Sequence, residues 1–200
     1  MYRKYLKSEF YTRKAQEEGY PARSVYKLRE IVEKYKVIKK RDRVLDLGCS
    51  PGSWLLYISK IIGEKGMAVG VDSEDVKVPI KDNMAFIQKS VFDLQIQDLQ
   101  KFSSRYNSVV SDLAPKTTGI KPVDEAKSLE LAAKALEIAK SVLVSGGNFV
   151  CKIFEGEGVD DFFNKVSDDF IITKRFRPKA VSRGSKEFYI IGVGFKKNEK

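Results

Sequence analysis

Short apolar strands alternate with helical segments along most of this chain, and this alternation restricts the possible folds more than any other feature. Strands are expected at 44–48, 67–71, 85–87, 108–111, 149–154, 170–172 and 188–195. Helical spacing of apolar residues marks 24–37, 54–62, 124–143 and 159–166. Because parallel strands need crossover connections of this kind, the sequence predicts an α/β fold with a mostly parallel sheet covered by helices on both faces.

The two ends of the chain depart from this alternation. Only residues 174–186 join the last two strands, which leaves little room for a covering helix, so one of these strands is expected to run antiparallel to its neighbours. Residues 1–22 are rich in basic and aromatic side chains and are expected to form an arm or a short helix. We therefore divide the chain into this arm, a single domain at 23–196 and a mobile tail at 197–200.

The composition excludes several classes of function. The chain contains no histidine, which excludes Ser-His-Asp and Cys-His catalysis and zinc sites that use histidine. Its two cysteines, Cys49 and Cys151, form no CxxC pair, and we expect both to be small buried residues. No metal site is predicted.

Charge and hydropathy indicate the kind of partner and the compartment. The chain has 37 Lys+Arg against 27 Asp+Glu, a net charge of +10, which either attracts a polyanion such as nucleic acid or simply aids solubility. The sequence contains no apolar run long enough to span a membrane and no secretion signal. A monomeric cytoplasmic protein without a membrane partner is expected.

The turn after the first strand has the features of a ligand-binding turn. Gly48 and Gly52 frame it, and glycine permits backbone conformations and close approaches that a Cβ atom forbids. Their Gly-x-x-x-Gly spacing differs from the Gly-x-Gly-x-x-Gly pattern that holds a pyrophosphate. Asp72, at the end of the next strand, either accepts hydrogen bonds from ribose hydroxyls or caps a turn. These features favour a ligand with a ribose and no phosphate.

Two ionisable residues lie where strands are expected to be buried. Asp112 ends the strand at 108–111, and Lys152 lies within the apolar strand at 149–154. Burial favours a neutral lysine and a nearby carboxylate favours a charged one, so this pair is either a tuned base or a snorkelling lysine beside a solvated aspartate. Lys27 and Glu187 have no such distinguishing context.

Five short motifs follow one another along the chain. They are YPARSVYKL at 20–28, DLGCSPGSW at 46–54, SDLAP at 111–115, GGNFVCKIFEG at 146–156 and SRGSKEFY at 182–189. Each motif alone is weak, but in this order they resemble the FtsJ/RrmJ family of S-adenosylmethionine-dependent RNA ribose 2′-O-methyltransferases. The resemblance covers about residues 11–195.

The resemblance implies a Rossmann-like class I methyltransferase fold, with a seven-stranded, mostly parallel sheet whose last strand is antiparallel. It also implies a catalytic set that falls on Lys27, Asp112, Lys152 and Glu187. The expected contacts to the cofactor S-adenosylmethionine fall on Gly48, Gly52, Trp54, Asp72, Asp93 and Asp112.

The chain departs from the family pattern at three positions. Ser53 stands where a second glycine is common. The segment Gln88-Lys89-Ser90 lacks the acid that holds adenine in the family, which leaves either Ser90 or Asp93 for that contact. Lys116 stands where asparagine often follows the Ala-Pro pair.

The function implied by the resemblance is methyl transfer from S-adenosylmethionine to a ribose 2′-hydroxyl of RNA. Large-subunit ribosomal RNA is the first expected substrate, and tRNA is the alternative substrate. The alternative function is that of a non-catalytic RNA-binding module with the same fold. The aromatic residues of the arm either stack on unpaired bases or belong to the core. RNA phosphates are expected to contact the arm and Arg23, Lys27, Lys174, Arg175, Arg177 and Lys179.

Overall fold

The computed structural model describes residues 2–182 and 184–196, apart from the side chains of residues 2–8. The strands in this part are β1 Arg43–Leu47, β2 Met67–Asp72, β3 Met84–Gln88, β4 Tyr106–Ser111, β5 Leu143–Phe154, β6 Phe170–Phe176 and β7 Glu187–Phe195. The helices are α1 Tyr2–Glu17, α2 Val25–Tyr35, α3 Ser53–Ile62, α4 Ile96–Gln100, α5 Lys121–Val142 and α6 Val159–Asp169. The predicted tail at 197–200 lies outside the described residues.

The seven strands form one sheet in the order β3-β2-β1-β4-β5-β7-β6. Strands β1 to β5 pair in parallel, and β7 runs antiparallel to both β5 and β6. This topology confirms the predicted α/β class and the antiparallel last strand. Because the strand order reverses between β1 and β4, the carboxyl ends of these two strands flank a crevice where ligands bind in such sheets.

Helices cover both faces of the sheet, each burying one apolar face against it. On one face, Ala139 of α5 and Phe162 of α6 lie in the core, and on the other face Leu28 of α2 and Leu55 of α3 do. A strand covered on both sides is buried along its length. Asp46, in β1, is therefore fully buried among apolar neighbours.

Two elements differ from the sequence prediction. We expected Gly146 and Gly147 to end the long helix, but α5 ends at Val142 and the glycines lie within β5. Strand β5 begins at Leu143, which pairs with Tyr106 of β4, and the regular pairing resumes at Asn148 after a shift in register. The two glycines lie in this irregular stretch of the strand. Helix α4 was not predicted because it is too short to show helical periodicity.

Part of the predicted arm contributes to the core. Ala15 of α1 and Tyr20 are buried, and the rings of Tyr11 and Tyr26 lie 5.2 Å apart. Phe10 is about half-exposed, at 51%. The side chains of Tyr2 and Tyr5 lie outside the description, so a base-stacking role for the arm stays a prediction, as does its separation from the domain.

Within residues 2–182 and 184–196, no helix is both long and apolar enough to cross a membrane.

Candidate active site

A cleft of about 470 Å³ opens at the carboxyl ends of β1, β2 and β4. Its walls come from the loops that follow these strands and β3. Among the residues that line it are Gly48, Ser50, Asp72, Ser90, Phe92, Asp112, Leu113 and Lys116. The cleft therefore lies at the reversal of strand order, where the sequence placed the ligand.

Glycine is required at two positions of the turn after β1. Gly48 has φ +77° and Gly52 has φ +107°, both in the left-handed region. A Cβ atom on Gly48 would lie 3.0 Å from the backbone of Leu113, and one on Gly52 would lie 2.5 Å from Val78. The two glycines thus let the turn pack closely between the loop after β4 and the loop after β2.

Asp72 has structural hydrogen bonds and also faces the cleft. Its Oδ2 accepts from the Ser50 backbone N–H at 2.9 Å, and its Oδ1 accepts from the Glu74 N–H at 2.9 Å. Each carboxylate oxygen can accept a second hydrogen bond. The two interpretations of Asp72 from sequence, turn cap and ligand acceptor, are therefore compatible.

The end of β3 supplies a hydroxyl and an aromatic ring to the cleft. Ser90 and the half-exposed Phe92 line it. Asp93 is exposed and is not among the described residues that line the cleft. Of the two residues that the sequence left open for the adenine contact, Ser90 is the one that faces the cleft.

Ser53 and Trp54 connect the turn to the segment that precedes α2. The Ser53 hydroxyl accepts the Ala22 backbone N–H at 2.7 Å, and the Trp54 indole N–H donates to the Ser24 carbonyl at 2.9 Å. Trp54 is buried, at 2% exposure, under this segment. Both side chains thus fix the start of the helix that bears Lys27.

The four predicted catalytic side chains lie together as two ion pairs beside the cleft. Lys152 Nζ lies 3.0 Å from Asp112 Oδ1 and also donates to the Asp112 carbonyl. Lys27 Nζ lies 2.5 Å from Glu187 Oε1. All four side chains are at most 15% exposed. Lys152 is therefore not a snorkelling lysine beside a solvated aspartate.

Tyr189 joins this cluster and was missed in the sequence. It pairs with Lys152 across β5 and β7, and its hydroxyl donates to Asp112 Oδ1 at 2.7 Å. Burial acts to raise the pKa of Asp112, but Lys152, Lys27 and the Tyr189 hydroxyl outweigh it, so the pKa lies below its usual value. Asp112 is thus held as a carboxylate. An apolar strand pattern gives no signal for such a tyrosine.

Comparisons with known proteins identify the family. A model of FtsJ-like methyltransferases matches residues 20–195. The chain belongs to the FtsJ-like methyltransferase family. A relative from Desulfatibacillum aliphaticivorans, named Ribosomal RNA large subunit methyltransferase E, is 46% identical over 189 residues, covering 94% of this chain and 91% of the relative.

Solved structures share the fold of this chain. A Plasmodium falciparum protein described as a ribosomal RNA methyltransferase has a TM-score of 0.75 at 25% identity, covering 88% of this chain and 98% of that one. Fibrillarin from Aeropyrum pernix, solved with natively bound S-adenosyl-L-methionine, has a TM-score of 0.55 at 17% identity. That match covers 78% of this chain and 68% of fibrillarin, and it shows a shared fold.

This FtsJ-like methyltransferase also buries an unpaired acid beneath the cleft. Neither carboxyl oxygen of Asp46 has a hydrogen-bond partner among the described residues. Burial, and then the charges of Asp112 and Asp72, raise its pKa well above the usual value. Burial likewise raises the pKa of the Cys49 and Cys151 thiols, so neither is a nucleophile at neutral pH.

Several arginines that were predicted to contact RNA have partners within the FtsJ-like domain. Arg175 pairs with Asp160. Arg177 donates to the carbonyls of Ser185 and Glu187, the latter at 3.2 Å. Arg23 donates to the Ser182 hydroxyl at 3.0 Å. Arg23 and Arg177 therefore organise the loop that carries Glu187, whatever else they contact.

Proposed function

We propose that this protein transfers a methyl group from S-adenosylmethionine to a ribose 2′-hydroxyl of large-subunit ribosomal RNA. One observation carries the proposal: Asp112 lines the cleft and at the same time pairs with Lys152. The cofactor cleft and the buried lysine therefore meet at a single carboxylate. The names of the relatives support ribosomal RNA as the substrate over tRNA. Such a substrate is consistent with a cytoplasmic protein.

The cleft suits S-adenosylmethionine in size and charge. About 470 Å³ lies within the range of small-molecule sites. Asp72 and Asp112 face a ligand that carries a positive sulfonium and a positive amino group, and opposite charges attract strongly where water is excluded. We assign Gly48, Gly52 and Asp72 to the turn and ribose side and Ser90 to the adenine side. Trp54 acts by positioning the turn.

Bound S-adenosylmethionine supplies a methyl group activated by its sulfonium. The protein residues then have to align the ribose oxygen. A lysine ammonium has three donors, and Lys152 directs two to the carboxylate and carbonyl of Asp112. One donor is left for the 2′-oxygen. We therefore assign Lys152 to steering the 2′-hydroxyl rather than to acting as a base, and Lys27 and Glu187 to orienting the ribose.

Alignment dominates this mechanism energetically. Holding two reactants in line contributes about 7–11 kcal/mol, whereas a positioned base contributes roughly 10²–10⁴-fold in rate. The rigid cluster on β4, β5, β7 and α2 suits the first role.

Methyl transfer from labelled cofactor tests the proposal. Large ribosomal subunits, free ribosomal RNA and tRNA are offered separately, and the modified ribose is mapped. We expect incorporation at a 2′-oxygen of large-subunit RNA, with a roughly 100-fold loss in Lys152→Ala because the ribose oxygen is no longer held in line. Lys140→Ala is the control, because Lys140 pairs with Asp169 at the end of α6 and lines the groove between α5 and α6 rather than the cleft.

The alternatives give different results. Incorporation only into tRNA contradicts the proposed substrate. RNA binding without any transfer indicates a non-catalytic module, and near wild-type turnover by Lys152→Ala contradicts the role assigned to that lysine.

A further inference from the structure

Two lysines share one carboxylate beside the catalytic cluster. Glu125, on α5, lies 3.7 Å from Lys121 Nζ and 3.4 Å from Lys186 Nζ, both measured from Oε1. The Glu125 side chain is only 15% exposed, whereas those of Lys121 and Lys186 are 66% and 48% exposed. The carboxylate is thus fixed in the protein while both ammonium groups face outward.

The position of this pair relates it to the target ribose. Lys186 precedes Glu187, and its carbonyl accepts the Glu155 backbone N–H at 2.9 Å, just beyond β5. Glu187 pairs with Phe154, two residues along β5 from Lys152, which is about 7 Å at the usual strand rise. Glu187 turns toward Lys27 and Lys186 turns toward α5. The lysine pair therefore lies next to Glu187 at the carboxyl end of β5, on the face of the sheet that α5 covers.

The ion pairs of Glu125 are loose and leave an excess of positive charge. Two ammonium groups face one carboxylate, at distances well beyond the 2.7–2.9 Å of a strong charge-assisted hydrogen bond. Contact with the Lys121 ammonium lowers the pKa of Lys186. Asp98 has the same two-to-one arrangement, with Lys89 at 2.7 Å, but it lies on α4.

We propose that Lys121 and Lys186 together bind a backbone phosphate of the RNA next to the methylated ribose. This inference rests on the proposed function. The 3′-phosphodiester is attached to the carbon next to the one that bears the 2′-hydroxyl, so a ribose held over Lys152 brings a phosphate toward the end of β5, where Lys186 lies. The phosphate replaces Glu125 as the partner of both lysines.

RNA affinity at several salt concentrations tests the inference. Filter binding with large-subunit ribosomal RNA compares the wild type, the double variant Lys121→Ala/Lys186→Ala, and Lys101→Ala. Lys101 is the matched control, because it is 68% exposed and shares Asp98 as Lys121 shares Glu125. We expect the double variant to bind roughly tenfold more weakly at low salt, with a salt slope smaller by roughly 0.7–0.9 for the loss of one phosphate contact, and Lys101→Ala to bind like the wild type.

A second variant is expected to act in the opposite direction. Glu125→Gln removes the competing charge at constant shape and should raise RNA affinity, whereas a merely structural Glu125 gives no increase. Retained binding of S-adenosylhomocysteine, measured by calorimetry, shows that each variant is folded.

The possible failures are distinguishable. If the wild type methylates RNA but the double variant keeps its affinity and salt slope, the lysine pair is not a phosphate site and the proposed function stands. Equal losses in Lys101→Ala, or weaker binding by Glu125→Gln, also overturn the inference. A wild type that neither binds nor methylates RNA overturns both.

Discussion

Replacing Lys152 by methionine leaves the Asp112 carboxylate buried without its nearest cation. At 3.0 Å and an effective dielectric constant of about 20, the attraction has an upper limit of about 5.5 kcal/mol. Breaking a buried pair from one side costs about 3–5 kcal/mol. Asp112 keeps Tyr189 as a donor and Lys27 nearby, so we expect a loss near the lower value, about 3 kcal/mol.

A double-mutant cycle of Lys152 and Asp112 separates the loss of stability from the loss of methyl transfer. Asp112→Asn should cost about 2 kcal/mol, because Lys152 keeps the carbonyl of residue 112 as an acceptor. The double variant leaves neither charge buried, and we expect it within about 1 kcal/mol of the wild type in the free energy of unfolding. Methyl transfer should fall roughly 100-fold in all three variants, because each loses alignment of the ribose oxygen.

Urea unfolding and thermal melts measure the stability side of the cycle. For a chain of this size, a loss of about 3 kcal/mol lowers Tm by about 6–12 °C. A Lys152→Met protein as stable as the wild type, or a double variant less stable than either single one, would refute the proposed coupling. Full activity in Asp112→Asn would refute the role of that carboxylate in catalysis.

Two further predictions concern residues outside the ion pairs. Folding raises the pKa of Asp46, so ionisation of this carboxyl opposes folding. The contribution of Asp46 to the free energy of unfolding of the wild type therefore falls as the pH rises above about 4, the pKa of an unfolded aspartate. Asp46→Asn should remove this pH dependence, so the difference in the free energy of unfolding between the two proteins should grow as the pH rises. Urea unfolding at several pH values measures this difference, and a difference that does not grow with pH contradicts the prediction. Arg177→Met should release the carbonyls of Ser185 and Glu187 and lower kcat roughly tenfold, with partial recovery in Arg177→Lys. Unchanged steady-state kinetics would show that the loop does not need this arginine.

The sequence predicted the main elements of the fold because their signals are local. Strands such as β1 and β2 are short apolar runs that stop at glycine or aspartate, and α5 repeats apolar residues at helical spacing. The short connection before β7 predicted that one of the last two strands is antiparallel, and the family resemblance identified it as the last strand. The start of β5 at Leu143 did not, because its pairing with Tyr106 is a contact between distant residues.

The site was predicted unevenly for the same reason. Asp112 and Lys152 stand out as charges on apolar strands, but Lys27 and Glu187 entered only through the resemblance to a family. Their pairing depends on how α2 packs against the face of the sheet that includes β7. That Ser90 rather than Asp93 lines the cleft depends on how the chain turns after β3.

The sequence by itself determined the succession of strands and helices along the chain, the turn framed by Gly48 and Gly52, and the absence of histidine chemistry. These depend on residue type, spacing along one segment and composition. The tertiary structure decided that Tyr189 holds Asp112, that Arg177 serves a loop, and that Lys121 and Lys186 meet at one carboxylate. Each is a contact between segments far apart in the chain, and hydrogen bonds and ion pairs act only over a few ångströms once the fold has brought those segments together.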